Sequence, residues 1–265
     1  MGRLQGKGAI VLGAAGSGNM GQVIAKRFRD EGAKVLVAGR KDDELARFAG
    51  EIGAEWAHCD ITKRDDVLTL ASTARAKLGA VHIGVNATGW GLLKPFMDNT
   101  QEDLEAITAL QFIGPVFFYQ AMIGAMDQGG SIIQISSATA TIMLNDHAAS
   151  MGTKAGADHV IRCVANEFGE KGIRANSISP GITDTPMNAE ARLVPGLFDS
   201  FTASYPLGRV GTSEDIAAAA VWLASDECFM TGENLQVNGG LTLRRNPTRD
   251  EVTASVMAAM KPAAE

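Results

Sequence analysis

Ala9-Ile10-Val11-Leu12-Gly13-Ala14-Ala15-Gly16-Ser17-Gly18-Asn19-Met20-Gly21 is the stretch on which the reading of this chain turns. Four apolar residues in a row read as a strand buried on both faces, the habit of a parallel sheet. Glycines follow, and then a helix predicted through Val23, Ile24 and Phe28. At such a junction glycine lets the backbone approach a pyrophosphate, and the unpaired N–H groups of the helix start hold it. Gly13, Ser17, Gly18, Asn19 and Met20 are the candidate contacts. Many glycine-rich loops are only tight turns. This one is read as a binding loop because it opens a chain in which strands and helices alternate throughout.

The second strand, Lys34–Ala38, ends in Gly39-Arg40. A domain that binds NAD often places an acid there to accept from the ribose 2′-hydroxyl. Glycine leaves that place empty, and the planar fork of Arg40 suits a 2′-phosphate. NADP(H) is therefore favoured over NAD(H), which stays possible. A third strand near Glu55–Cys59 closes on Asp60-Ile61, where the carboxylate either accepts from an adenine amino group or caps the next turn. Strand Val81–Val85 runs into Asn86-Ala87-Thr88-Gly89, with Asn86 placed to tie neighbouring strands. A long helix is expected over Gln101–Met126, kinked at Gly114-Pro115. Strand Ser131–Ile135 precedes Ser136-Ser137, helix Ala148–Gly169 carries Ser150 and Lys154, and strand Ile173–Ile178 runs into Pro180-Gly181-Ile182.

Alternation of this kind predicts an α/β fold, a doubly wound sheet of seven parallel strands with helices on both faces. Residues 1–245 read as one domain. Within it the segment of about 187–207, rich in apolar residues, reads either as a lid over an apolar substrate or as an ordinary packed surface loop. Residues 246–265 form a tail with a short helix expected at Arg249–Met260.

Composition excludes several functions. A net charge of −6 disfavours a broad phosphate-binding face, and with it nucleic acid. The three cysteines form no metal or disulfide pattern and fit a reducing, cytoplasmic setting. No apolar run approaches the roughly 20 residues of a membrane span, so no membrane association is expected. No signal peptide is visible ahead of the first strand. His58, His82 and His159 lack partners at metal-ligand spacing.

The glycine loop, Asp60, Asn86-Ala87-Thr88-Gly89, Ser136-Ser137, Lys154, Pro180-Gly181, Leu207-Gly208-Arg209 and Asn238-Gly239-Gly240 follow one another in one order. Over roughly residues 6–240 the chain resembles the short-chain dehydrogenase/reductase family. The resemblance implies a Rossmann fold, NAD(P)(H) and a small-molecule substrate. It also implies a homodimer or homotetramer built on helices 101–126 and 148–169. It gives Ser137 the task of steadying the substrate oxygen. Lys154 would hold the nicotinamide ribose and lower the pKa of the proton donor. Ile182 and Thr185 would contact the carboxamide, and Pro180, Gly181, Asn86, Ala87 and Ile61 would line the cofactor groove.

The same resemblance isolates departures. A tyrosine is usual four residues before the lysine, and this chain has Ser150. An asparagine is usual in the long helix, where Gln111 stands. An aliphatic hydroxyl is a far weaker acid than a phenol of pKa ~10, so Ser150 cannot simply stand in. His147, seven residues before Lys154, occupies the place from which enoyl-acyl-carrier-protein reductases of this family present their tyrosine. An imidazole is a competent proton donor near neutrality. Asp146 beside it either orients the ring or caps the following helix, with capping preferred. Tyr119 reads as packed core, and Tyr205 is a candidate to swing into the site. The expected function is transfer of hydride to or from a carbonyl or alcohol, with an atypical proton donor. Reduction of a conjugated double bond and cofactor binding without redox turnover are the alternatives.

Overall fold

The computed structural model describes residues 2–261. Met1 and the end of the expected tail, residues 262–265, lie outside them. Seven parallel strands form the central sheet: β1 (Gly8–Leu12), β2 (Lys34–Gly39), β3 (Glu55–His58), β4 (Ile83–Asn86), β5 (Gly130–Ile135), β6 (Ile173–Pro180) and, after two short strands, β9 (Asn234–Val237). Their order is β3-β2-β1-β4-β5-β6-β9, and β7 (Thr183–Asp184) pairs separately with β8 (Gly211–Thr212). The chain winds outward in both directions from β1, so β1 and β4 flank the switch point at which α/β sheets open a crevice. Residue Ile10 pairs with Leu36 on one side and Gly84 on the other.

Strand alternation divides the core between two faces. Val11, Val37, Val85 and Ile133 pack under α1 (Met20–Asp30), α2 (Asp42–Ile52) and α9 (Ser213–Ala224), where Ile24, Phe28, Leu45 and Ile216 are buried. Ile10, Leu12, Leu36 and Ile132 face α3 (Arg64–Leu78), α5 (Gly114–Ala125) and α6 (Ala148–Phe168). This is the doubly wound Rossmann arrangement that the alternation predicts.

Within the long helix, α4 (Gln101–Thr108) passes through a five-residue π-helical stretch, Ala109–Ile113, into α5, directly before the Gly114-Pro115 pair. The residues ahead of Pro115 are already helical, so its missing N–H leaves the backbone ladder short of one donor where the π-helical stretch ends. Gly114 allows this stretch to press on Ile61, whose carbonyl oxygen would lie 2.7 Å from an added Cβ. The continuous segment Gln101–Ala125 is also long and apolar enough, by length and composition, to cross a membrane, which corrects the expectation of no such run. Its apolar residues are interrupted by Gln111 and Gln120, so no unbroken run announces them. In the fold Ile107, Phe118, Tyr119 and Met122 are buried as core.

Asn86 ties β4 to β5 as expected: its Nδ2 donates to Gln134 Oε1 at 2.9 Å. Tyr119 Oη donates to the same oxygen at 2.7 Å, so the phenol is spent inside the core. Tyr119→Phe is expected to cost about 1–2 kcal/mol of stability by removing one of two donors to a buried oxygen. Denaturant unfolding measures that loss, and catalytic turnover is expected to persist.

Candidate active site

The carboxyl ends of β4, β5 and β6 open into one cavity of about 530 Å³. Its floor is chemical: Ser137, Gln111, His147, Ser150 and Lys154 all line it, so the five residues proposed for catalysis from sequence are gathered in one place. Met20, Asn19, Ala87, Pro180, Gly181, Ile182 and Thr185 line the adjoining wall. Gly13, Ser17, Gly18, Arg40, Asp60, Ile61 and Asn86 do not. They lie at or after the ends of β1 to β4.

Lys154 is buried in the second turn of α6, and its Nζ donates to the carbonyl oxygen of Ile135 at 2.7 Å. Burial pulls its pKa down to about 8, against the opposing pull of Asp158 one turn later. Asp158 is a residue that the sequence reading missed. Its Oδ2 accepts from Ser136 Oγ at 2.7 Å and from Asn234 Nδ2 at 2.6 Å. One carboxylate thereby joins α6 to the end of β5 and the start of β9. Burial raises its own pKa, against the pull of its hydroxyl partners. An i, i+4 Lys–Asp spacing was the available signal.

The π-helical stretch turns Gln111 inward. Its Nε2 donates to the Trp90 carbonyl at 2.5 Å, while its Oε1 accepts from Ser150 Oγ at 3.4 Å and Thr153 Oγ1 at 3.3 Å. Ser150 is thus held weakly from two sides, its other long contact being the Trp90 carbonyl at 3.5 Å. Ser137 caps a short 3₁₀ turn and shares a hydrogen bond with Thr139 Oγ1 at 2.8 Å.

His147 is the N-cap residue of α6, and its side chain makes no capping bond. Its Nδ1 is buried without a partner. Burial depresses its pKa below the ordinary 6.5, opposed by the Leu92 backbone. Asp146 neither caps the helix nor orients this ring. It has a positive φ of 61°, rare for a non-glycine residue, and its carboxylate pairs with Arg249 of α10 (Arg249–Ala259). Tyr205 is also reassigned. It is buried, with its Oη donating to the Ile182 carbonyl at 3.3 Å and its pKa pushed up to about 12 by burial. It supports the wall from behind rather than entering the site.

The loop residues fit a dinucleotide. Gly13 has φ of 102°, and a Cβ there would lie 2.6 Å from the Ala87 carbonyl carbon, so only glycine brings β1 and β4 this close. Asn19 caps α1, accepting from Gln22 N at 3.0 Å and donating to the Gly13 carbonyl at 2.8 Å. Its side chain shapes the loop. Asp60 Oδ1 accepts from both Thr62 N and Thr62 Oγ1, so the carboxylate caps the turn after β3. Ile61 is buried in the core. Among the described residues no group of three His, Cys, Asp or Glu is placed to hold a metal.

A family model described as enoyl-(acyl carrier protein) reductase matches residues 13–242. The chain belongs to the short-chain dehydrogenase/reductase family. It is 34% identical over 247 residues to a mitochondrial borneol dehydrogenase of Lavandula x intermedia, covering 91% of this chain and 92% of that one. It is 32% identical over 250 residues to a D-threitol dehydrogenase of Mycolicibacterium smegmatis, covering 91% and 95%. A solved short-chain type dehydrogenase/reductase from Mycobacterium ulcerans superposes with a TM-score of 0.88 at 28% identity, over 94% of this chain and 98% of that one. The family is one of nicotinamide-dependent oxidoreductases, and the Rossmann arrangement and glycine cradle are what such a protein requires.

The Asp158 arrangement is testable. In Asp158→Asn, loss of the charge lets the Lys154 pKa fall below about 8. The alkaline limb of the pH–rate profile is expected to move to lower pH. An unmoved limb would separate Asp158 from Lys154.

Proposed function

We propose that this protein is an NADP(H)-dependent oxidoreductase that interconverts an alcohol and its carbonyl compound, with His147 in the role of proton carrier. The carrying observation is the shared cavity, in which the Ser137 and Ser150 hydroxyls, His147, Gln111 and Lys154 stand beside Ile182 and Thr185. Bound nicotinamide supplies or accepts the hydride. Lys154 would hold its ribose, while Ser137 and Ser150 hold the substrate oxygen. An aliphatic hydroxyl is nearly as weak an acid as water, ~15.7, so Ser150 orients and does not ionise. His147 lies three residues before it on the same helix start, one turn away. Its depressed pKa keeps the ring neutral near pH 7, the form that accepts the alcohol proton during oxidation. The related borneol and D-threitol dehydrogenases are both named for alcohols, which favours this direction.

NADP(H) is supported by a steric fact. A Cβ at Gly39 would lie 2.6 Å from the Ala15 Cβ, which excludes the acid that would select NAD. Arg40, next in sequence, is exposed and has no ion-pair partner among the described residues. Two features accompany the proposal. Leu104 and Ile113 expose apolar surface on the long helix, consistent with assembly into a dimer or tetramer through it and α6. Cys59, Cys163 and Cys228 are free thiols, consistent with a cytoplasmic setting.

Reduction of a conjugated double bond remains the second reading, favoured by the description of the matching family model. Cofactor binding without turnover is the third. Assays with NADPH against ketones, aldehydes and enoyl thioesters separate all three.

Arg40→Ala is expected to weaken NADPH binding roughly tenfold or more, the worth of ~1.5–3 kcal/mol for hydrogen bonds to a charged group. NADH binding should change little. Equal losses for both cofactors would contradict the assignment. For oxidation, kcat/KM should be level at pH 7 and fall as pH drops through the His147 pKa, below 6.5. His147→Ala should lose ~10²–10⁴ in rate and lose that acid limb; retention of either the rate or the limb counts against His147.

A further inference from the structure

Ser137 meets one neighbour twice. Its Oγ accepts from Thr139 N at 3.2 Å and stands 2.8 Å from Thr139 Oγ1. Its main chain is fixed as well. The Ser137 carbonyl accepts from Ala140 N at 3.0 Å and from Ser179 Oγ, on β6, at 3.1 Å. Ser179 is buried, and the short 3₁₀ turn Ala138–Ala140 closes directly behind Ser137. The place of the residue is therefore settled by the fold. What stays adjustable is the direction of its hydroxyl proton.

That direction decides what Ser137 can do. A hydroxyl carries one donor and two acceptor sites. The Thr139 N–H occupies one acceptor site. If the Thr139 hydroxyl donates as well, both are filled, and the Ser137 proton must turn to another acceptor. Ser137 and Thr139 both line the cavity, so a substrate oxygen there can be that acceptor. If Ser137 donates to Thr139 instead, it has no proton to give. A carbonyl oxygen only accepts, and it selects the first arrangement, in which Thr139 donates to Ser137 and Ser137 to the substrate. Hydrogen bonds in such a chain polarise one another, most of all when negative charge gathers on the terminal oxygen.

Ser150 is disposed the opposite way. Gln111 Nε2 donates to the Trp90 carbonyl, which only accepts, so the amide is oriented and its Oε1 faces Ser150. The partners of Ser150 Oγ are that Oε1 and the same Trp90 carbonyl, two acceptors. Its proton is directed into the protein. Of the two serines, Ser137 is the one with a proton for the substrate oxygen.

We propose that Thr139 is a positioning residue of this site: it fills both acceptor sites of the Ser137 oxygen and makes Ser137 a dedicated donor to the substrate oxygen. The proposal rests on the oxidoreductase reading above and deepens it. It also divides the duties of the serines, since Ser150 offers lone pairs only.

Neutron diffraction from crystals of the full chain exchanged into D₂O reads the arrangement without any ligand. The expected map places the Thr139 deuterium toward Ser137 Oγ and the Ser137 deuterium toward the cavity. A Ser137 deuterium aimed at Thr139 Oγ1 overturns the proposal. Kinetics reads the consequence, with NADPH and a ketone or aldehyde that the protein turns over. Thr139→Val keeps the N–H and the shape of the side chain but loses the hydroxyl. Its kcat should fall roughly threefold to tenfold, the worth of one hydrogen bond, with KM within about twofold. Thr139→Ser should restore kcat. In a Ser137→Ala background, Thr139→Val should cost nothing further, because the two residues act as one unit. A wild-type kcat in Thr139→Val, or a full additional loss in the double variant, overturns the proposal while leaving redox turnover intact. The expected neutron map together with no turnover of any carbonyl compound or alcohol supports the hydroxyl arrangement and overturns the oxidoreductase reading instead.

Discussion

The Lys154 ammonium is held inside the protein by the carbonyl of Ile135, 2.7 Å away. A buried cation is costly unless its surroundings compensate, and much of the local architecture answers that demand. Asp158 lies one helical turn further along α6 and opposes the desolvation that draws the lysine down to about 8. Asp158 is itself held by Ser136, just past the end of β5, and by Asn234, the first residue of β9. The positions of three elements are thus coupled to one charge. Displacing α6 would break the carbonyl contact and both carboxylate bonds together.

Around that fixed point Ser150 is held more loosely, with only long contacts, to Gln111 and the Trp90 carbonyl. The Nδ1 of His147 is buried without a partner among the described residues. Catalytic contacts commonly tighten only once substrate binds. By contrast Tyr119 and Tyr205, the two phenols of the chain, are committed to Gln134 and the Ile182 carbonyl. Neither is disposed to supply a proton in the cavity.

The sheet was legible because fully buried parallel strands must be written as apolar runs, as Ala9–Leu12 and Ser131–Ile135 are. Gly13, Gly39 and Lys154 were legible because their tasks tolerate few other residues. What escaped depended on distant partners. Asp146 sits before a helix as a capping acid would, yet its positive φ and its pairing with Arg249, about a hundred residues on, give the cap position to His147. The tail carries no local sign that it walls the cavity. Its placement follows from Gly196 and Met143, which say nothing by themselves. The π-helical turn that aims Gln111 lies just before Gly114-Pro115, and sequence marks the proline but not the extra residue in the turn. Asp158 was overlooked because a surface i, i+4 pair and a buried one are spelled alike.

The central claim is that this cavity carries hydride between a dinucleotide and an oxygenated carbon. The direct measurement is the fate of deuterium from NADPH labelled at the nicotinamide C4, incubated with the protein and a ketone or aldehyde it turns over and read by mass spectrometry and NMR of the product. The account predicts an alcohol bearing the label at the carbinol carbon, from one face of the nicotinamide only. Label on a carbon that had formed part of a double bond in an enone substrate, with the carbonyl intact, or no label in any product, would contradict it.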